Sequence, residues 1–268
     1  LERIVPGIST AQLYLPDGNV VDLGKDSVCD LQLLEGGRFV NERGTLTYKG
    51  DSSEVKVAQY SEVRIPRGGE YKVVLPDGTI VWLNAESSLR FPTLFTGKER
   101  KVYAKGELYF DVKHDDTKPF IVEVEKDYSA RVLGTEFNLR AYSGFPVVTT
   151  LVEGKVKVND QDIVAGEQAV YSKNDGKTTV RQVEVEQYVA WQEGTFVFRN
   201  ERLENVMKTL GRWYGVEFHF IDERAKEIRI GARFGRYDDM QPIVDMIKKT
   251  NLVEVLQTNR CLYISEKK

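Results

Sequence analysis

The spacing of apolar residues changes character once along this chain, near residue 195, and that change limits the folds open to it. Up to about residue 185, short runs rich in Val, Ile, Tyr and Phe alternate with turns bearing Gly, Asp and Asn. Examples are Ala11–Leu15, Val20–Leu23, Tyr71–Leu75, Thr79–Leu83, Phe120–Val124, Phe137–Tyr142 and Lys155–Val158. Such runs, spaced roughly 8–12 residues apart, mark an all-β domain, either an antiparallel sandwich or a solenoid-like stack. In Lys155-Val156-Lys157-Val158 the alternation is strict, which predicts one wet face and one dry face.

From about residue 196 the period lengthens. Phe196-Val197-Phe198 is a short strand. Then Leu203, Val206, Met207, Leu210, Trp213 and Tyr214 fall on one stripe of an α-helix, with Asn200 as the expected N-cap and Gly215 as the stop. Val216–Ile221 and Ile228–Phe234 read as strands. Met240, Ile243, Val244 and Ile247 form a second stripe, capped by Asp238 or Asp239, and Val253–Gln257 with Leu262–Ser265 reads as a closing hairpin. The expected organisation is a mainly β domain over 1–185, a junction over 186–195, and a small α+β domain of βαβ-βαββ order over 196–268.

One ten-residue phrase occurs twice, as LPDGNVVDLG (15–24) and LPDGTIVWLN (75–84). Pro sets the first corner of a turn, Asp tolerates the next, and Gly accepts the positive φ that follows. Both copies therefore read as hairpin turns. A calcium loop would need several oxygen ligands at alternating positions, and neither copy supplies them.

Composition narrows the function. The 268 residues are 41% hydrophobic and 29% charged with a net charge of −3, ordinary for a globular chain and without the basic balance that nucleic acid demands. No apolar run is long enough to span a bilayer. The opening LERIVPG has neither an initiating Met nor the pattern of a signal peptide, so a piece of a longer chain is expected. Cys29 and Cys261 could pair, or each could be a small hydrophobe in a core.

A search for chemistry finds little. Of the two histidines, His114 lies in an acidic run, Asp111 to Asp116, that reads as a solvated loop, and His219 alternates with Phe218 and Phe220 on a strand, facing the wetter side. There is no HExxH, GxSxG, CxxC, Walker loop or GxGxxG. No metal site, cofactor or catalytic centre is expected. Trp82 and Trp213 sit in apolar runs and are expected in cores. One peptide bond invites attention: in Val132-Leu133-Gly134-Thr135-Glu136-Phe137, a strained turn would let the Thr135 hydroxyl attack the Gly134 carbonyl and cut the backbone. The plainer reading is a Gly at a bend followed by a strand Thr.

Pro66-Arg67-Gly68-Gly69-Glu70-Tyr71 followed by LPDGTIVWLNAESSLRFP (75–92) resembles the opening of the FecR-type anti-sigma regulators. The resemblance continues in order through GELYFDV (106–112), KPFIV (118–122), VLGTEFNLRAY (132–142), TTLVEGKVKV (149–158) and AGEQAVY (165–171), covering most of 60–172. GTFVFRNERLENVMKTLGRWYGVEFHF (194–220) is similar to the small domain of the transducer-coupled branch, which itself is similar to the short signalling domain of secretins and TonB-dependent receptors. The resemblance implies the periplasmic region of a single-pass inner-membrane protein, with its membrane helix upstream of Leu1. Its partners would be the N-terminal signalling domain of an outer-membrane TonB-dependent transducer and, through a cytoplasmic tail, an extracytoplasmic-function sigma factor. Some members of the family cut themselves at the Gly-Thr bond matched by Gly134-Thr135.

Contact with a partner strand needs a sheet edge with unpaired backbone groups. Ile228, Arg229, Ile230, Gly231, Ala232, Arg233 and Phe234 form the expected edge: Arg229 and Arg233 would choose an acidic partner, and Gly231 would permit close approach. Two rivals stand beside this reading. A carbohydrate-binding or accessory β-domain of a secreted enzyme would show exposed aromatics on one sheet face. A hydrolase would bring two carboxylates together in a cleft.

Overall fold

In the segment GEYKVV, Gly69, Tyr71 and Val73 are buried while Glu70, Lys72 and Val74 are only partly covered, the period of two that strand geometry imposes. That period builds a chain that is mainly β, with a smaller helical and β part at its C-terminal end. The computed structural model describes residues 3–33, 36–50 and 58–267. Its contacts group into two units: Ser9–Val185, and Leu1–Ile8 together with Glu186–Lys268.

The β-rich unit holds two ladders that share one long strand. In the first, Val20–Gly24, Ile8–Tyr14, Tyr60–Arg64 and Ser88–Pro92 lead to the front half of Arg100–Asp111, and Phe120–Val124, Tyr128–Val132, Lys155–Val158 and Gln161–Val164 follow. In the second, Cys29–Gln32, Arg38–Glu42, Thr45–Lys49, Gly69–Val74 and Ile80–Leu83 lead to the back half, and Glu136–Ala141, Val147–Glu153, Glu167–Tyr171 and Thr178–Gln182 follow. Arg100–Asp111 with Phe120–Val124 and Thr45–Lys49 with Gly69–Val74 are parallel pairs; the other pairings named here are antiparallel. The shared strand changes ladders between Lys105 and Gly106, and Gly106 takes φ +85° there. Both ladders feed one core. Phe91 of the first meets Phe39 of the second edge-on, with ring centroids 6.1 Å apart, and Phe120 meets Phe110 at 6.2 Å.

The α+β unit runs strand Thr195–Arg202, helix Leu203–Tyr214, strand Glu217–Phe220, helix Glu223–Glu227, strand Arg229–Gly235, helix Met240–Lys249, then strands Val253–Thr258 and Cys261–Glu266. Thr195–Arg202 and Arg229–Gly235 make a two-stranded antiparallel sheet. Glu217–Phe220, Cys261–Glu266 and Val253–Thr258 make a three-stranded sheet in that order, the first pair parallel. Leu203, Val206, Leu210 and Trp213 of one helix and Ile243, Val244 and Ile247 of another share a core with Phe196, Ile230, Leu262 and Ile264 of the two sheets. The short helix Glu223–Glu227 has no apolar stripe to announce it; Ala225 is its one buried residue.

Two local expectations need correction. The N-cap of Leu203–Tyr214 is Arg202, not Asn200, because the preceding strand continues to Arg202; Asn200 instead takes φ +50° where the strand register shifts. The stop at Gly215 does have the left-handed φ of +63°. Trp82 is not in the core. Its neighbours Val81 and Leu83 take the inward positions, so Trp82 faces outward beneath Lys72, whose Nζ lies 4.7 Å from the ring centroid.

Candidate functional site

The two Pro-Asp-Gly turns are built alike and used differently. In both, the Asp carboxylate accepts from residue i+2: Asp17 from the Asn19 backbone N–H at 2.9 Å and its side-chain amide at 2.8 Å, Asp77 from the Thr79 N–H at 3.0 Å and its hydroxyl at 2.7 Å. Asp77 also pairs with Arg100 at 2.8 Å. That guanidinium is 2% exposed and donates to the Lys118 carbonyl at 2.7 Å, the Lys113 carbonyl at 2.7 Å and the Leu133 carbonyl at 3.2 Å. One buried cation thus ties the second turn to the loop after Asp111 and to the residue before Gly134.

Gly134 and Thr135 line a concavity of about 470 Å³ with Arg131, Lys155 and Lys157. Space, not backbone conformation, demands glycine at 134. A Cβ there would lie 2.5 Å from His114 Nδ1 and 2.6 Å from its Cα. Gly134→Ala is therefore expected to cost about 1–3 kcal/mol, the range for overpacking, read as a lowered unfolding midpoint. The Thr135 hydroxyl is buried and donates to the Lys155 carbonyl at 3.1 Å. A carbonyl does not take the proton, so in this arrangement the hydroxyl is a neutral nucleophile. His114 pairs with Asp116 at 3.2 Å, and Asp115 is occupied by Thr117 and the Lys118 N–H, all within an exposed loop.

Two other quoted phrases, NAESS and GEL, meet in a buried polar cluster. Glu107 accepts from Asn84 at 2.8 Å and Asn138 at 3.2 Å, while Ser87 Oγ accepts from the Glu107 N–H at 2.9 Å and donates to its carbonyl at 3.1 Å. These residues hold strands together; each polar group present is satisfied inside the sheet, as burial requires.

The strand Arg229–Gly235 has a ladder partner on one side, Thr195–Arg202, and no strand among the described residues pairs with its other edge. Arg229, Gly231 and Arg233 share the exposed face, and Ile230 is buried on the other with Ala232 and Phe234 partly covered. Both arginines have partners within the chain. Arg229 donates to the Asn200 carbonyl at 2.7 Å, and Arg233 pairs with Glu186, which also binds Arg199 at 2.5 Å. Hydrogen bonds from Arg233 and Arg199 hold the Glu186 carboxyl below the usual carboxylate range. A binding partner's acid would therefore compete with Glu186 for Arg233. Gly231 is open: a Cβ would meet only the Phe198 carbonyl oxygen, at 3.8 Å.

Sequence reasoning missed Arg236. It is fully buried, with its guanidinium 3.7 Å from the Trp213 ring centroid and 5.2 Å from that of Phe196, while Trp213 Nε1 donates to its carbonyl at 2.6 Å. A charged residue just past a strand gives no local sign of burial; only the neighbouring Trp213 stripe hinted at an apolar acceptor for it. On the outer faces of the β-rich unit, Arg64 covers Tyr14 and Arg90 covers Tyr60 and Tyr103. These rings are stacked under guanidinium groups instead of lying open to a sugar.

No helix among the described residues is long and apolar enough to cross a membrane. The FecR protein family profile matches residues 61–157, and the profile of the FecR C-terminal region matches 195–264. No curated protein matches the sequence. A crystal structure at 1.65 Å of a candidate anti-sigma factor from Parabacteroides distasonis ATCC 8503 is similar in fold, with a TM-score of 0.70 and 25% identity over 77% of this chain and 99% of that one. A second crystal structure, at 2.50 Å and described in the same words, gives 0.70 and 26% over 78% and 100%. Two family profiles in sequence order, each falling within one of the two structural units, place the chain in the family of FecR-type anti-sigma factors, which regulate sigma factors.

Proposed function

We propose that this chain is the periplasmic receiving region of an inner-membrane anti-sigma factor. It takes a signal from the N-terminal signalling domain of an outer-membrane TonB-dependent transducer by direct protein contact and passes it to an extracytoplasmic-function sigma factor bound elsewhere in the full protein. The observation that carries this reading is the two-stranded sheet of the α+β unit, in the region matching the FecR C-terminal profile: among the described residues, its strand Arg229–Gly235 has one edge without a strand partner. An added strand would satisfy those backbone groups, with Gly231 permitting approach and Arg229 and Arg233 meeting acidic side chains. Nothing in this reading needs backbone scission at Gly134-Thr135.

Calorimetric titration with the isolated signalling domain of the transducer encoded beside the gene tests it. Saturable one-to-one binding is expected. Gly231→Val, which the space around Gly231 accommodates, should weaken that binding about tenfold or more, the scale of a central interface residue. Binding left intact by Gly231→Val and Arg229→Glu together would move the contact away from this edge. Silence with the transducer domain and saturable binding of a polysaccharide would favour the glycan-binding rival instead.

A further inference from the structure

Phe218, Leu262 and Ile264 of the three-stranded sheet pack against the core of the α+β unit. By alternation, Glu217, His219, Cys261 and Tyr263 share the opposite, outward face. The parallel register sets Glu217 beside Cys261 and His219 beside Tyr263. A carboxylate oxygen of Glu217, an imidazole nitrogen of His219 and the Cys261 sulfur all lie within 4.8 Å of one another.

We propose that Glu217, His219 and Cys261 form a binding site for a divalent transition-metal ion of borderline softness, with Zn2+ as the ion that fits best. The donor set decides the class of ion. Mg2+ and Ca2+ take oxygen ligands almost alone, whereas one oxygen, one nitrogen and one thiolate match the ligands of zinc. Tetrahedral bonds of about 2.0–2.3 Å place ligand atoms about 3.3–3.7 Å apart. The three donors must therefore draw together by about 1.5 Å at most, and Glu217 and His219 are exposed side chains free to turn about their χ angles. Cys261 is a free thiol.

Tyr263 supplies the outer support that metal sites use to orient their ligands. The His219 ring stacks on Tyr263 with centroids 5.4 Å apart and planes 29° apart, which fixes the imidazole plane. Three protein ligands leave a fourth position open to water or to a side chain from another molecule. The site involves neither the Arg229–Gly235 edge nor the proposed contact with a transducer.

The test uses the whole chain, reduced and stripped with a chelator, titrated with Zn2+ by calorimetry and with Co2+ by absorption. One equivalent should bind saturably, and Co2+ should show a thiolate-to-metal charge-transfer band. Cys261→Ser should abolish the band, and His219→Ala should weaken Zn2+ binding more than about tenfold, the consequence of losing one ligand of three. Cys29→Ser should change neither reading. Unfolding midpoints for the Cys261 and His219 variants, measured without metal, should match the parent, since both side chains lie on the outward face. Failure of the parent chain to take up one equivalent would overturn the assignment. So would uptake that survives both Cys261→Ser and His219→Ala, because that would be binding by scattered surface carboxylates.

Discussion

Asp77→Ala lowers the unfolding free energy of the β-rich unit by about 3–5 kcal/mol, the cost of removing one partner of a buried ion pair. The same change in the first copy of the phrase, Asp17→Ala, costs about 1 kcal/mol or less, the worth of ordinary turn hydrogen bonds. Both carboxylates close the same local turn. They differ because Asp77 alone faces Arg100, which is 2% exposed and otherwise bonded to three neutral carbonyls. Without Asp77, a buried guanidinium loses the carboxylate it is hydrogen-bonded to, and Asp115 acts on it only through space. Urea unfolding followed by far-UV circular dichroism measures both variants. The double variant Asp77→Ala/Arg100→Met should recover part of the loss, because it removes the stranded charge. Equal costs for Asp17→Ala and Asp77→Ala would refute this account of Arg100.

Gly106→Ala is the second large effect, about 2–5 kcal/mol from two additive sources. The backbone at φ +85° costs an L-residue roughly 1–2 kcal/mol. A Cβ would also lie 2.4 Å from Ser87 Oγ and 2.6 Å from Ser87 Cα, and forcing those atoms apart costs about 1–3 kcal/mol. Ser87 cannot yield cheaply, since its hydroxyl bonds both the N–H and the carbonyl of Glu107. Gly78→Ala separates the two sources. Gly78 has φ +88° with nothing within 4 Å of its Cβ position, so it should show the backbone cost alone. Were the two variants to lose equal stability, close packing at the point where Arg100–Asp111 changes ladders would not matter.

The residues that could be read in advance and those that could not differ in the range of the forces that place them. The stripe from Leu203 to Tyr214 and its stop at Gly215 are set within a few residues, by helical period and by a left-handed φ. The turns at Asp17 and Asp77 are equally local. Trp82 shows where that reach ends. Its run is apolar on both sides of the alternation, so nothing nearby says which parity faces the core, and a shift of one residue exchanges the faces. Asn200 was a sound cap on its own, but the strand pairing with Arg229–Gly235 extends past it to Arg202. Arg236 lies under Trp213 because a strand and a helix far apart in the chain bring them together.

By itself, the sequence determined the change from strand to helix texture, the turn chemistry of its repeated phrase and, through ordered motifs, membership of the FecR family. Each depends on period or on residues close in the chain, where steric and hydrogen-bonding preferences act without help. Tertiary structure alone decided that Asp77 and not Asp17 would hold Arg100, that Gly106 would press on Ser87, and that Glu217 and His219 would stand beside Cys261. Those outcomes depend on strand register across long separations, which is settled only when the whole core packs.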